Sequence, residues 1–172
     1  ELTYHASDVF DVTFGFRHFS LNAGGTSDMS FALYGLGPST GDHDNQESDT
    51  LYKLNLAYMP KSNQTWYATL SEGFRRGGVN AVPTEGTFTE EAGWVPFDSD
   101  SVLNLEFGTK GVSKKDVYYN ISVYRVDWNN PQLNTDTPNY SFYAVINGDE
   151  AQTTGLDIEL KGTVGSLDWD LG

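Results

Sequence analysis

Two adjacent arginines, Arg75 and Arg76, followed by Gly77 and Gly78, are the residues of this 172-residue chain best suited to hold a small molecule. Guanidinium groups pair bidentately with carboxylates, so the arginines predict contact with an anionic ligand. The alternative is an ion pair with a nearby phosphate or a loop carboxylate. Four further side chains downstream could stack on a ligand or form hydrogen bonds with it, although ordinary loop packing is the more common role for such residues. The candidate ligand-binding set is Arg75, Arg76, Trp128, Asn130, Gln132 and Tyr140.

Other chemistry is not indicated. The chain has no cysteine, and its three histidines (His5, His18 and His43) are too scattered to suggest a zinc site or a catalytic triad. The acidic run from Asp42 to Asp49 lacks, in register, the glycine and the bidentate glutamate of an EF-hand calcium loop and is predicted to be a solvated loop. A net charge of -14 argues against nucleic acid as a partner. We therefore predict no catalytic residue, no metal site, no cofactor and no enzymatic activity.

The elements that position these side chains are predicted to be strands, because apolar and polar residues alternate with period two in segment after segment. In the first segment, Phe14 and Phe16 share one face and Gly15 and Arg17 the other. Seven strands are predicted, at residues 7 to 18, 50 to 59, 64 to 75, 101 to 111, 116 to 128, 151 to 162 and from Leu167 onward.

The connections alternate in length. Residues 60 to 63, 112 to 115 and 163 to 166 are short turns, whereas residues 19 to 49, 76 to 100 and 129 to 150 are long and polar. Strands of about ten residues can cross a bilayer when tilted, and short turns on one side with long loops on the other are typical of membrane barrels. The pattern predicts an all-β fold, a segment of an antiparallel transmembrane β-barrel.

Charged residues test this interpretation, because a lysine or arginine facing lipid at mid-membrane costs roughly 2 to 4 kcal/mol. Among the strand residues, Glu72, Arg125 and Asp127 are the charged ones that fall on the apolar face, each near a long loop. The others fall on the polar face. Those predicted to line the barrel lumen as wall or plug contacts, with ligand contact the less favoured role, are Arg17, Lys53, Glu106, Lys110, Asp157, Glu159 and Lys161.

Four phrases in order over residues 51 to 162 carry a family resemblance. The stretch from Trp66 to Asn80 resembles the "Y-x-x-x-S-x-G-F-R-x-G-G-x-N" strand of TonB-dependent outer-membrane receptors. The stretches 101 to 111, 120 to 132 and 147 to 161 resemble the three strands that follow it in that family. The chain has no segment resembling the plug domain, the TonB box or the terminal aromatic strand.

The resemblance implies that residues 1 to 172 are part of a single 22-stranded barrel domain, with short periplasmic turns and long extracellular loops. It implies a receptor in the bacterial outer membrane that imports a scarce nutrient with energy coupled through TonB. The nutrient would be a ferric siderophore-type complex first of all, or haem, a cobalamin or an oligosaccharide. The implied partners are outer-membrane lipid, lipopolysaccharide, the TonB complex and the nutrient.

The alternative is a secreted soluble β-sandwich that binds carbohydrate or mediates adhesion. The two hypotheses differ in what covers the apolar face, a set represented by Phe14, Leu54, Leu105, Ile121 and Ile158. Lipid would cover it in a receptor, and a second sheet would cover it in a sandwich. The chain starts at Glu1 and ends within an alternating stretch, so we expect it to be a fragment of a longer protein.

Overall fold

The computed structural model describes residues 1–172 and is built almost entirely of antiparallel strands. Eight strands form the main sheet: β1 (Leu2–Ser7), β2 (Phe10–Phe31), β3 (Leu36–Lys61), β4 (Gln64–Arg75), β7 (Asp100–Val112), β8 (Tyr118–Asn129), β11 (Glu150–Val164) and β12 (Leu167–Leu171). Two small two-stranded sheets lie in the connections, one from β5 (Gly78–Val79) and β6 (Pro96–Phe97), the other from β9 (Gln132–Asp136) and β10 (Tyr143–Asn147). Two 3-10 turns, Ala32–Tyr34 and Ala92–Trp94, complete the chain.

The main sheet is a meander in which each strand pairs with its neighbours in chain order. Its pairing is continuous across six strands, so each row of side chains can be followed from β2 to β11. One such row is Phe14, Leu54, Leu70, Leu105, Arg125 and Thr154. The next row toward the short turns is Val12, Leu56, Ala68, Phe107, Val123 and Leu156. The predicted antiparallel barrel segment is confirmed as a fold.

The predicted first strand was wrong in one respect, since the chain turns at Asp8 and Val9 and the sheet has eight strands. Residues before the turn form β1, which pairs with β2 from Leu2 opposite Phe14. The turn is tight, and the Val9 amide donates to the Ser7 hydroxyl at 3.3 Å. A two-residue turn leaves little sequence signal beyond Ser7 and Asp8, which explains the omission.

The prediction of a loop at residues 19 to 49 was also wrong. β2 and β3 continue as one hairpin that pairs Phe19 with Asp49 and Met29 with Ser39. The acidic run from Asp42 to Asp49 therefore lies in β3 and not in a solvated loop. Beyond Arg17 the less exposed side chains point inward, including Phe19 and Leu21 on β2 and the polar Asn45 and Glu47 on β3. Between Phe10 and Arg17, by contrast, the apolar side chains face outward. This reversal weakens the strand signal in the sequence.

The apolar face of the sheet has no second sheet packed on it. Phe14, Leu54, Leu105 and Ile158 are 45, 38, 52 and 44% exposed, respectively. A β-sandwich buries such a face against a partner sheet about 10 Å away, so the sandwich alternative is not supported by this fold.

The three charged residues on the apolar face find partners there. Arg125 pairs with Asp127 at 2.9 Å, and Gln152 donates to the same carboxylate at 2.9 Å. The Glu72 carboxylate accepts a hydrogen bond from the Tyr52 amide at 2.8 Å, at the point where the pairing of β3 with β4 ends. The pairing around them is regular, so no β-bulge turns them to the other face.

None of the helical segments is long and apolar enough to cross a membrane.

Candidate ligand-binding site

Most of the buried side chains lie in the connections at the long-loop end of the sheet. Val82, Pro83 and Ser39 are fully buried, and Glu90 and Thr137 are each 2% exposed. Within the rows described above, by contrast, the side chains are half-buried or exposed. The connections predicted as long polar loops therefore form a packed body, which we call the loop assembly (residues 19–49, 76–99 and 130–149).

The inward side of β3 holds segment 76–99 in place. The Glu47 carboxylate accepts hydrogen bonds from the amides of Gly77 (3.0 Å) and Ser99 (2.6 Å) and from the Ser99 hydroxyl (2.6 Å). Two residues along, the Asn45 amide group donates to the carbonyls of Gly78 at 3.4 Å and Phe97 at 3.3 Å. A single strand thus ties together both ends of the segment.

Segment 76–99 is also tied to the β9–β10 hairpin. The Asn80 side chain donates to the carbonyls of Trp94 and Val145 and accepts the Val145 amide, each at 2.8 Å. Asn147 bonds the backbone of Asp98 through both side-chain atoms, at 2.7 and 2.9 Å. Buried backbone groups need such partners, so these two asparagines allow irregular chain to pack without a sheet ladder.

An aromatic cluster joins all three parts of the loop assembly at its outer end. Phe31 meets Phe88 edge-on with ring centroids 5.4 Å apart, and Phe88 meets Tyr140 in the same way at 5.3 Å. Tyr140 also donates its hydroxyl to the Thr87 carbonyl at 2.8 Å. Its amide donates to the buried Glu90 carboxylate at 2.8 Å.

Asp100 is the centre of the network at the base of the loop assembly. It is 2% exposed, and its carboxylate accepts from the Arg75 guanidinium, the Trp128 indole at 3.0 Å and the Gln132 amide at 3.2 Å. Its other oxygen accepts the Arg75 amide at 3.1 Å. The Arg75 guanidinium carbon also lies 5.1 Å from the centre of the Trp128 ring, within range of a cation–π contact.

The charge state of this pair follows from these contacts. Asp100 lies three residues before Leu103, at the loop end of β7 and on its inward face. Burial opposes its charge, yet the hydrogen bonds from Arg75, Gln132 and Trp128 together hold the pKa of its carboxyl below the usual value. The same carboxylate raises the pKa of Arg75. Arg75 and Asp100 are both charged at neutral pH.

Arg75 and Arg76 line a cavity of about 650 Å³ between β2 and the segment that follows β4. The other lining residues are apolar or neutral and include Leu21, Ala23, Phe97, Gln132 and Val145. No carboxylate side chain lines the cavity, although the chain as a whole is strongly acidic. Asp100 neutralises Arg75, while Arg76 forms no ion pair within the chain. The cavity can therefore offer a small anion one uncompensated guanidinium and neutral hydrogen-bonding groups.

The six predicted ligand residues fall into two groups. Arg75, Arg76 and Gln132 line the cavity, and Trp128 lies against Arg75. Gln132 also donates to the Arg76 carbonyl at 2.8 Å and so joins β9 to the arginine pair. Asn130 and Tyr140 do not line the cavity: Asn130 is in the left-handed region (φ 51) at a turn, and Tyr140 belongs to the aromatic cluster.

The residues predicted to line the lumen lie on the polar face, opposite the apolar rows, and several have partners there. Tyr67 donates to Glu106 at 2.6 Å, and Lys110 lies 5.8 Å from the centre of the Tyr67 ring. Lys161 pairs with Glu159 at 2.7 Å, and Lys53 with Glu1 at 3.0 Å. Arg17 lies over Phe74 at 6.0 Å. Asp157 shares this face, opposite Ser122.

Sequence reasoning missed Asp100 and Glu47. Both are acidic residues in an acid-rich chain, and nothing near them in sequence separates them from solvated carboxylates. The one available signal for Asp100 is its place at the first position of a strand that pairs with the arginine-bearing strand. The pairing of Arg75 with Asp100 could be found only after the strand register was known.

Comparison with known proteins gives consistent results. A family model described as "TonB dependent receptor-like, beta-barrel" matches residues 1–172. The chain is 27% identical over 165 residues to the pesticin receptors of Yersinia enterocolitica and Yersinia pestis, covering 94% of the chain and 22% of each receptor. It spans about a fifth of the length of these relatives.

Two solved structures share the fold. The ferric yersiniabactin uptake receptor FyuA from Yersinia pestis superposes with a TM-score of 0.73 at 22% identity, over 98% of this chain and 24% of that one. The ferric-catecholate import receptor Fiu from E. coli K12 gives 0.59 at 14% identity, over 95% and 24%. With the family model matching from end to end, the chain belongs to the TonB-dependent receptor family and forms part of its β-barrel.

Proposed function

We propose that this chain forms part of the wall and the extracellular loops of a bacterial outer-membrane receptor that imports a ferric siderophore-type complex with energy coupled through TonB. Family membership supports the receptor role. The iron complex is favoured because one structural neighbour is named for the uptake of ferric yersiniabactin and another for ferric-catecholate import. The plug and TonB contacts would be supplied by other parts of the protein, and the chain's part in the process would be binding and passage, without catalysis.

The observation that carries the membrane placement is the slope of the apolar band on the outward face. On β2 the band reaches Phe16, whereas on β11 it stops at Leu156. In the row of Phe14, the first four residues are apolar and the last two are Arg125 and Thr154.

The band therefore retreats by two rows over five strand steps. With about 4.8 Å between strands and about 3.4 Å per residue, this corresponds to a slope of about 30°. Strands in membrane barrels tilt by roughly 35 to 45°, so a flat bilayer would meet the sheet along just such a slanted line. Arg125 then lies nearer the membrane surface than Phe14, although both are in one row.

The ligand is proposed to bind at the cavity lined by Arg75 and Arg76. Arg76 would meet an anionic group of the iron complex, since Arg75 is already neutralised by Asp100. Gln132 would add a neutral hydrogen bond from the wall of the cavity. Trp128, Asn130 and Tyr140 would act as supports of the surrounding chain.

Uptake of radiolabelled ferric siderophores by cells that express the full-length protein, grown without iron, tests this proposal. We expect TonB-dependent uptake, recovery of the protein in the outer-membrane fraction, and a gel mobility that changes on heating. Arg76→Gln should reduce siderophore affinity about tenfold, because a hydrogen bond to a charged group is worth roughly 1.5 to 3 kcal/mol.

Lys115→Gln, in a short turn far from the cavity, is the control and should leave affinity unchanged. Uptake of haem, a cobalamin or an oligosaccharide instead of iron complexes would overturn the choice of ligand. Recovery of the full-length protein in a soluble fraction would overturn the membrane placement.

A further inference from the structure

An apolar groove of about 360 Å³ lies at the short-turn end of the sheet, far from the loop assembly. Its seven lining residues are all apolar or aromatic, and they include Leu56, Ala68 and Phe107 from one row and Tyr58 and Trp66 from the next. Ala68 is the smallest side chain of its row and stands between Leu56 and Phe107. The groove exists because this one position is small while its neighbours are large.

A register shift places a cation directly below the groove. Tyr58 pairs with Trp66, but the next pair is Lys61 with Gln64, so β3 has one more residue than β4 between the two pairs. Such a bulge re-aims the side chains that follow it. By strict alternation Lys61 would point to the lumen with Lys53 and Asn55, whereas its pairing with Gln64 puts it on the outward face with Tyr58 and Trp66.

Lys61 is exposed and forms no ion pair within the chain. The side-chain amide of Gln64, beside it, has no hydrogen-bond partner in the chain either. The short turns themselves hold three lysines (Lys61, Lys114 and Lys115) and two aspartates (Asp8 and Asp116), in a chain whose net charge is -14. An apolar groove that ends at a free ammonium and a free amide is complementary to a molecule with a hydrocarbon chain and an anionic head.

We propose that this groove binds one phospholipid of the periplasmic leaflet, with an acyl chain over Ala68 and the headgroup phosphate on Lys61 and Gln64. Tyr58 and Trp66 flank the acyl chain at the height where aromatic residues favour the interface. The inference goes beyond nutrient uptake and rests on the membrane placement argued above. It assigns the bulge a function, because without it the cation would face the lumen.

The test uses full-length protein purified in detergent, stripped of lipid and titrated with phosphatidylglycerol, with bound lipid counted by native mass spectrometry. We expect one retained lipid. Lys61→Gln should weaken its binding about fivefold, the contribution of one basic residue near an anionic lipid surface. Ala68→Leu should fill the groove and weaken binding about tenfold, by displacing roughly two methylene groups.

The matched controls are Lys115→Gln, which removes a turn lysine away from the groove, and Leu156→Phe, which adds bulk to the outward face on another strand. Both should bind the lipid as the parent protein does. The heat-dependent gel shift shows whether each variant is folded, and only variants that show it are compared.

Equal lipid retention by the parent, Lys61→Gln and Ala68→Leu proteins would overturn the site. Equal binding of an uncharged diacylglycerol and phosphatidylglycerol would overturn the headgroup contact. Recovery of the full-length protein in a soluble fraction would instead contradict the proposed function. Failure of the lipid site can therefore be distinguished from failure of the receptor proposal.

Discussion

Adjacent arginines at the end of β4 have different surroundings because the strand ends between them. Arg75 is the last strand residue, and its pairing with Asp100 fixes both its backbone and its guanidinium. Arg76 is the first residue outside the strand and keeps its charge free. Sequence alone predicted one role for both. The register of β4 and β7 separates a structural arginine from one available to a ligand.

At this scale, we expect Asp100→Asn to loosen the base of the loop assembly. The substitution keeps the shape of the side chain but replaces one acceptor oxygen by a donor, so Arg75, Trp128 and Gln132 lose part of their shared acceptor. Leaving such a buried group unsatisfied costs roughly 1 to 3 kcal/mol. Hydrogen exchange in the full-length protein should speed up about tenfold or more at the Gln132 amide.

The control for this substitution is Asp98→Asn. Asp98 is exposed two residues away and uses its backbone, not its carboxylate, in the hydrogen bonds with Asn147 and Gln132. Unchanged exchange at Gln132 in the Asp100→Asn protein would contradict the role given to this carboxylate.

At the scale of elements, the β2–β3 hairpin is the part that the sequence described least well. Between Phe10 and Arg17 of β2, Phe14 and Phe16 face outward, and the alternation of apolar and polar residues predicted a strand. Beyond Arg17, Phe19 and Leu21 face inward while Ser20 and Asn22 face outward, because this part of the hairpin packs against the other segments of the loop assembly. The polar inward residues Glu47 and Asn45 bond to irregular backbone that no local pattern specifies.

The hairpin's role as a support predicts the effect of Glu47→Ala. Three hydrogen bonds to Gly77 and Ser99 are lost, and both ends of segment 76–99 are then held to β3 more weakly, through the bonds of Asn45 to Gly78 and Phe97. We expect trypsin to cleave after Arg76 on intact cells about ten times faster than in the parent, since opening the segment becomes easier by roughly 1 to 3 kcal/mol.

Gln46→Ala provides the matched comparison. Gln46 is the neighbouring residue on the outward side of the same strand, where it is exposed and makes no side-chain hydrogen bond. Equal cleavage rates for the Glu47→Ala and Gln46→Ala proteins would show that segment 76–99 does not depend on the hairpin.

At the scale of the whole molecule, the sequence predicted those strands that are constrained to keep one apolar face. Strands such as β4 and β7 must keep one apolar face along their length, so their bounds and faces were visible in the sequence. The site was predictable only in part: Arg75, Arg76 and Gln132 meet at one cavity, but Tyr140 does not. The loop assembly depends on contacts between distant segments, such as Asn80 with Val145, which leave no periodic signal.

The barrel as a whole makes one further prediction, which compares neighbouring residues on opposite faces of β7. Leu105 points outward in the middle of the apolar band, and Asn104 points to the lumen. Leu105→Lys should destabilise the folded full-length protein in lipid vesicles by roughly 2 to 4 kcal/mol, because a charge there meets hydrocarbon. Asn104→Lys should cost less than about 1 kcal/mol, since the lumen is polar. Denaturant titrations of the two proteins measure the difference. In the proposed membrane placement, Arg125, a native charge in the same row as Leu105, is tolerated because the tilt of the strands brings it toward the membrane surface. Equal destabilisation by the two lysines would contradict both the assignment of faces and the proposed tilt.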